Sequence, residues 1–341
     1  ADSKPCMLSV LIPTHQRPDR LRRCLEALAL QTLERDQFEV LVGVDGPEHA
    51  TDPETRCAAD ALPGARVLVL PKRGPAAVRN ALRREARGEI ILLLNDDVIP
   101  HADCLREHAR AQAERSRGAL VLGSAPWVVR LPDRLFDRLI RETSMIFFYD
   151  QMEPHRDARE RDWGFRHAWT LNLSFRAEDA AGHWFDESLP APVYEDIEWA
   201  WRVTHGRSLP VLYRPSAIVR HDHRYEPEEY LRREQLLGEQ AFTLARTSRR
   251  CARDIFGRDV TDRDELRYSR LFVERERLLV DRLRHEFSRL ADLPAATADA
   301  GLIPTLYQQH LLLKRWTWRV GLLAAAERAE RRGQETPALA A

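Results

Sequence analysis

The sequence predicts an α/β fold, a mostly parallel sheet flanked by helices, followed by an all-helical C-terminal region. Three observations predict it. Short apolar runs suited to buried strands alternate with helix-spaced leucines over the first hundred residues. The run 90–94 (IILLL) leads directly into Asn95, Asp96 and Asp97, and carboxylates at the carboxyl end of a hydrophobic strand lie where open α/β sheets bind ligands. Past about residue 226 the strand pattern stops and only helical periodicity remains.

Residues 7–12 (MLSVLI) read as the first buried strand. The polar loop Pro13-Thr14-His15-Gln16-Arg17-Pro18 follows, and Pro18 suits a first helical turn. Leu21, Leu25 and Leu28 then recur at helical spacing through Gln31. The second strand, 38–44, stops at the turn Asp45-Gly46-Pro47. A polar stretch with Asp52, Glu54 and Asp60 carries the next helix, and 66–70 forms the third strand. Pro71-Lys72-Arg73-Gly74-Pro75 leads into a helix over 76–87 with Arg79 and Asn80 in its first turns. A helix N-terminus beside Lys72 and Arg73 suits an anionic ligand. The alternative is a capped surface helix with solvated arginines.

Hard cations such as Mg²⁺ and Mn²⁺ take oxygen ligands and bridge carboxylates to phosphate, which gives Asp96 and Asp97 a functional reading. Alone, the stretch reads first as a strand and an Asx turn, with both aspartates solvated or capping a helix over 103–117. Residues 119–131 look extended. The charged and aromatic segment 132–167 is long enough to be a substrate-facing insertion or lid. Residues 169–175 (WTLNLSF) alternate like a strand.

Glu195 and Asp196 open a helix in which Ile197 and Trp201 share a face. Acidic residues there complement the helix dipole, and they also suit a general base at a cleft mouth. Short strands at 211–213 and 217–220 end in His221-Asp222-His223, a spacing commoner in surface chemistry than in metal sites. Imidazole is nevertheless a competent Mn²⁺ ligand.

Three stretches carry the helical region. One opens at Glu226-Pro227, with Tyr230, Leu237, Ala241 and Leu244 on its stripe. Another runs over 264–291, with Phe272, Leu279, Leu283, Phe287 and Leu290. The last carries Leu312, Trp316, Val320 and Leu323 beside Lys314, Arg315 and Arg319. That face is expected to pack on the domain or a second subunit, since amphipathic helices usually serve the core. A membrane surface is the alternative.

Composition narrows the class. The 341 residues are 44% hydrophobic and 31% charged with no formal net charge, so the basic excess of a nucleic-acid-binding protein is missing. Lysine occurs only at Lys4, Lys72 and Lys314, so arginine supplies the other positive charges. The cysteines (6, 24, 57, 104 and 251) are scattered and odd in number, which points to a reduced, cytoplasmic setting without structural zinc. No run of 18 apolar residues predicts a membrane span, and no signal-peptide pattern opens the sequence.

In order and spacing these pieces resemble an inverting glycosyltransferase of family 2, with the fold called GT-A, over about residues 7–245. SVLIPTHQRP resembles the family's first strand and loop, which implies nucleotide contacts at Pro13, Thr14 and Arg17. FEVLVGVDG resembles the second strand and the aspartate that receives the nucleobase, here Asp45. GPAAVRNALRREARGEIILLLNDDVIP resembles the Arg-Asn helix and metal motif, which implies Arg79 at the base or phosphate, Asp96 at the ribose and Asp97 on the metal. TLNLSFRAEDAAGHWFDESL resembles the acceptor-side segment, and puts Trp169 and Asn172, with Glu195, near the sugars. YEDIEWAWR resembles the motif of the catalytic base, here Asp196, and YRPSAIVRHDH the strand whose histidine helps hold the metal, here His221. Two departures stand out: the usual Asp-Asp-Gly-Ser is Val44-Asp45-Gly46-Pro47, and the metal motif begins with Asn95.

The resemblance implies metal-assisted transfer, with Mn²⁺ or Mg²⁺, from a nucleotide-diphosphate sugar, in the first instance a UDP-sugar. The acceptor is a glycan, lipid-linked or small-molecule hydroxyl. It divides the chain into a transferase domain over 1–225 and a helical region over 226–341. The domain comprises a nucleotide-sugar half (about 7–118) and an acceptor half (about 119–225). The helical region would meet a homodimer partner or the inner face of the membrane. Two rival readings are a sugar nucleotidyltransferase, which would want a glycine- and lysine-rich loop where PTHQRP stands, and a non-catalytic nucleotide-sugar-binding or scaffolding protein.

Overall fold

A computed structural model of the chain describes residues 7–46, 53–153, 159–297, 299 and 301–335. Lys4, Cys6, Pro47 and Asp52 lie outside the described residues, as does the side chain of Glu54. The strands are β1 (Leu8–Thr14), β2 (Phe38–Asp45), β3 (Arg66–Leu70), β4 (Ile90–Leu94), β5 (Val98–Pro100), β6 (Leu120–Ser124), β7 (Asn172–Arg176) and β8 (Val211–His221). The helices that flank or cap them are α1 (Pro18–Ala29), α2 (Pro53–Ala61), α3 (Pro75–Glu85) and α4 (Cys104–Ala113). Then come α5 (Leu135–Glu142), α6 (Tyr149–Met152) and α7 (Glu195–Arg207). The helical region holds α8 (Pro227–Thr247), α9 (Arg249–Phe256), α10 (Arg263–Ala291) and α11 (Leu302–Glu335).

Among the described residues the strands form one mixed sheet in the order β3-β2-β1-β4-β7-β6-β8-β5. β3, β2, β1 and β4 are parallel, and their central members are apolar and buried on both faces, as parallel strands covered by helices must be. β7 runs antiparallel to both β4 and β6, so the sheet is less uniformly parallel than its apolar runs suggest. Two strands expected at 211–213 and 217–220 are one, β8, whose pairing with β6 breaks register between Gly123 and Ser124. Within 119–131 only β6 is strand, and β5 was hidden in the turn after Asp97.

The chain divides into two compact units. One comprises residues 1–128 and 148–223 and contains the whole sheet; the other comprises 129–147 and 224–341. The division therefore runs through the insertion at 132–167, whose first part, with α5, packs with the helical unit.

Within the helical unit, α8 and α11 cross at two glycines. A Cβ on Gly238 would collide with Trp318 O, and one on Gly321 with Gln235 O, so only glycine allows the backbones this close. The face of α11 expected to be available is partly used inside the unit. Leu323 is buried, Trp316 is half-buried and its Nε1 donates to Val273 O of α10 at 3.0 Å. On α10 the buried stripe is Leu266, Phe272, Val280 and Phe287, and Leu279 lies outside it, 47% exposed. Val280, eight residues after Phe272 and seven before Phe287, takes the buried place expected for Leu279. No described helix is long and apolar enough to cross a membrane.

Candidate active site

The chain steps outward from β1 to β2 and β3, then returns to place β4 on the other side of β1. This reversal opens a crevice at the carboxyl ends of β1 and β4, the position where open α/β sheets bind ligands. Thr14 closes β1, Asp45 closes β2, and Asn95-Asp96-Asp97 follow β4. With neighbouring strands about 4.8 Å apart, Asp45 and Asp96 stand roughly 10 Å from each other across β1. Pro13, half-buried, is paired with Gly43 just below this edge.

Asp96 and Asp97 are 4% and 6% exposed, yet they occupy different environments. Asp96 Oδ2 accepts from Thr14 Oγ1 at 2.8 Å, and its Oδ1 lies 3.4 Å from Arg17 Nη1. Burial and the neighbouring Asp97 charge push its pKa up to about 6, against Arg17 and Thr14. Burial also opposes charge on Asp97, but His221 and His223 outweigh it and hold the carboxyl well below its usual range. His221 Nε2 stands 3.7 Å from Asp97 Oδ1 and His223 Nδ1 3.5 Å from Oδ2.

The antiparallel pairing of β5 with β8 makes this juxtaposition. Val98 pairs with His221, and Asp222 N donates to Asp97 O at 2.8 Å, so the end of β8 is hydrogen-bonded beside the aspartates. Trp127 stacks on the His221 ring with centroids 4.1 Å apart. Sequence reading missed Trp127, and it missed Arg20. Arg20 Nη1 lies 2.7 Å from His223 Nδ1 and 3.7 Å from Asp97 Oδ2. The only signal for Arg20 was its position one helical turn after Arg17.

Asp97 Oδ1 is buried without a hydrogen-bond partner, and its separation from His221 Nε2 is too long for one. A carboxylate oxygen and an imidazole nitrogen suit Mn²⁺ or a similar ion. Among the described residues no group of three or more His, Cys, Asp or Glu forms a metal cage. One carboxylate and one imidazole are a donor number with which a divalent ion can be held when phosphate oxygens supply further ligands.

Asp45 is spent differently from the expectation of an open acceptor. Its Oδ1 accepts from Arg73 N at 2.8 Å and Gly74 N at 3.2 Å, and its Oδ2 from Gly74 N at 3.0 Å. The anion held at the α3 N-terminus is thus Asp45 itself, with Gly74 as N-cap at φ +88°. A Cβ at Gly74 would collide with Pro190 O. Lys72 and Arg73, expected beside a bound anion, reach other groups: Lys72 Nζ lies 2.8 Å from His15 Nε2, and Arg73 Nη2 is 2.7 Å from Glu187 Oε2.

Arg79 is not a surface arginine. It is 4% exposed and pairs with buried Glu195 at 2.8 Å. Asp196, half-buried at the start of α7, accepts from the Ile197 N–H at 2.8 Å, and the Thr170 backbone also favours its charged form. Burial raises the pKa of both acids, Glu195 to about 7, with Arg79 acting against the rise. Tyr194, just before them, has a left-handed backbone at φ 66°, unusual for a bulky residue and of the kind found where structure is held for function. Trp169 is buried in a ring cluster, 5.0 Å from Tyr149 and 5.4 Å from His167 by centroids, and adjoins the Asp196 contact through Thr170.

Asn172, expected near the sugars, is engaged by protein groups instead. It is fully buried inside the sheet unit, donating to Ser124 O and Ala217 O while its Oδ1 lies 2.8 Å from His108 Nε2. A polar side chain in WTLNLSF fits substrate contact or strand cross-linking equally, and only the three-dimensional partners distinguish them.

Residues 9–165 match the family described as glycosyl transferase family 2. Over that segment, a little under half of its length, the chain is similar to that family. Among curated relatives, the chain is 29% identical over 240 residues to validoxylamine A glucosyltransferase of Streptomyces hygroscopicus subsp. jinggangensis. The match covers 62% of this chain and 54% of the relative. It is also 29% identical over 99 residues to glycosyltransferase AglE of Haloferax volcanii, covering 29% of this chain and 33% of the relative. The chain spans about half the length of the validoxylamine A glucosyltransferases it matches.

Among solved structures, mannosyltransferase PcManGT from Pyrobaculum calidifontis, in complex with GDP-Man and Mn²⁺, superposes with a TM-score of 0.55 at 18% identity. That match covers 98% of this chain and 90% of the other. S. aureus TarS 1–349 in complex with UDP gives 0.50 at 16% identity, covering 96% and 92%. These likenesses make the fold GT-A.

Proposed function

We propose that this chain transfers a sugar from a nucleotide-diphosphate sugar, a UDP-sugar in the first instance, to an acceptor hydroxyl, with inversion at the anomeric carbon. The observation that carries this reading is Asp97: a buried carboxylate held charged at the carboxyl end of β4, with one oxygen unpartnered beside His221. Support also comes from the relatives, named as glycosyltransferases, and from neighbours described with UDP or with GDP-Man and Mn²⁺.

Asp97 and His221 would hold Mn²⁺ or Mg²⁺, which as Lewis acid neutralises charge on the leaving diphosphate. Asp96, kept in place by Thr14 and Arg17, accepts from the ribose hydroxyls. Asp45 keeps acceptor capacity beyond its backbone bonds, since a carboxylate offers about four lone-pair sites, and receives the N–H of a uracil-like base. The acceptor oxygen bonds to the anomeric carbon as the bond from that carbon to the phosphate oxygen breaks. The hydroxyl proton passes to Asp196 and the nucleoside diphosphate departs. A single displacement of this kind inverts the centre. Acceptors in reach include a glycan, a lipid-linked sugar or a small molecule.

General-base assistance contributes about 10² to 10⁴ in rate. Asp196→Asn should therefore lower transfer by that factor while nucleotide affinity, measured calorimetrically, stays within about twofold of the parent. Turnover near the parent's would remove Asp196 from the role of base.

A further inference from the structure

Arg17, just before α1, and Arg20 and Arg23 on it, spaced by three residues, line one side of the aspartate pair. Arg17 Nη1 is 3.4 Å from both Asp96 and Asp97, Arg20 Nη1 is 3.7 Å from Asp97 and 2.7 Å from His223 Nδ1, and Arg23 Nε is 2.8 Å from Asp222. The ladder fastens α1 to the ends of β4 and β8. Its three guanidinium charges match the three carboxylates Asp96, Asp97 and Asp222, so the corner presents no net negative charge to an incoming phosphate. Asn95 contributes no charge where the family motif usually has an aspartate, whereas Arg17 and Arg20 add two permanent positive charges, with side chains 45% and 29% exposed.

We propose that Arg20 is a positioning residue for the donor diphosphate: with Arg17 it supplies guanidinium donors to the phosphate oxygens, so that a nucleoside diphosphate binds this site even without a divalent ion. The inference rests on the reading of the crevice as a nucleotide-sugar site. It requires only that Arg20 turn from Asp97 toward an incoming phosphate, a move that its partial exposure permits. Guanidinium matches phosphate geometry and stays charged at any working pH, so the contact is independent of the histidines' protonation.

The test is calorimetric titration of the full chain with UDP, GDP and inorganic pyrophosphate in EDTA, then in Mn²⁺. UDP or GDP should bind in EDTA. Arg20→Met should weaken that binding and the binding of pyrophosphate by about tenfold or more, the worth of a hydrogen bond to a charged group. Arg20→Lys should recover part of the loss, and salt should weaken binding to the methionine variant less steeply than to the parent. Arg22→Met, a charge change at an exposed position on the same helix, should match the parent. Parent binding that demands Mn²⁺ would overturn the inference and leave the proposed function standing. Unchanged EDTA affinity in Arg20→Met would also overturn it, whatever happens to the thermal midpoint. Absence of nucleoside diphosphate binding with or without Mn²⁺ would overturn both.

Discussion

Arg79 Nη1 lies 2.8 Å from Glu195 Oε1, with both side chains buried. This ion pair ties α3 to the first residue of α7 and sets a fixed positive charge beside Asp196. Burial raises the pKa of Glu195 and of Asp196, and the Arg79 charge is the principal opposing influence on each.

As the proposed base, Asp196 accepts a proton only when ionised, so turnover should fall as pH drops through its raised pKa. Removing the Arg79 charge takes away the largest influence that opposes burial. Arg79→Gln should move the acid limb of the kcat profile to higher pH, with the largest loss of rate on the acidic side. A pH–rate series on the two proteins checks this, and coincident acid limbs would detach Arg79 from the base.

The same pair affects stability. Glu195 has a folded pKa of about 7 against 4.5 for the unconstrained group, so between those values the folded chain binds more protons than the unfolded one. Its contribution to stability therefore declines as pH rises through that window. Glu195→Gln cannot titrate, so its stability relative to the parent should improve between about pH 5 and pH 8. Denaturant midpoints at both pH values measure the gap, and a change in the opposite direction would contradict the assignment.

Gly74 tests how Asp45 is held. A side chain there meets Pro190 O and a positive φ together, so Gly74→Ala should displace the loop whose N–H groups grip Asp45. Nucleotide affinity should drop about tenfold, with a stability loss of about 1–3 kcal/mol. Retained affinity in a folded variant would place base recognition elsewhere.

Much of this was legible beforehand, and the limits have physical causes. The strands β1, β2 and β4 are continuous apolar runs because both faces are covered, which makes them plain in one dimension, whereas the edge strand β3 is only half-buried. β5 is three residues long and exists only through its pairing with β8, so no local pattern announces it. Asp96, Asp97 and His221 were found through order along the chain, and the structure brings them together. Arg20, His223 and Trp127 owe their positions to that same β5–β8 pairing and to the pitch of α1. Asn172 misled because a buried cross-strand amide and a substrate-binding amide look alike until their partners are known. Asp45 was identifiable as an acceptor; that its own backbone supplies donors depends on how the loop at 71–74 folds back.

Chelation should separate binding from chemistry. EDTA should lower kcat strongly while UDP or GDP still binds, and Mn²⁺ or Mg²⁺ should restore the rate. Full turnover in exhaustively chelated protein would remove the ion from the reaction.

The central claim, that the crevice at Asp96 and Asp97 cleaves a nucleotide-diphosphate sugar, needs no acceptor to be tested. The decisive measurement is slow hydrolysis of each common nucleotide sugar by the purified chain in Mn²⁺, with the released products identified. At least one donor should yield free sugar and nucleoside diphosphate, at a rate that collapses in Asp97→Asn. Release of pyrophosphate, or no cleavage of any donor, would contradict the account.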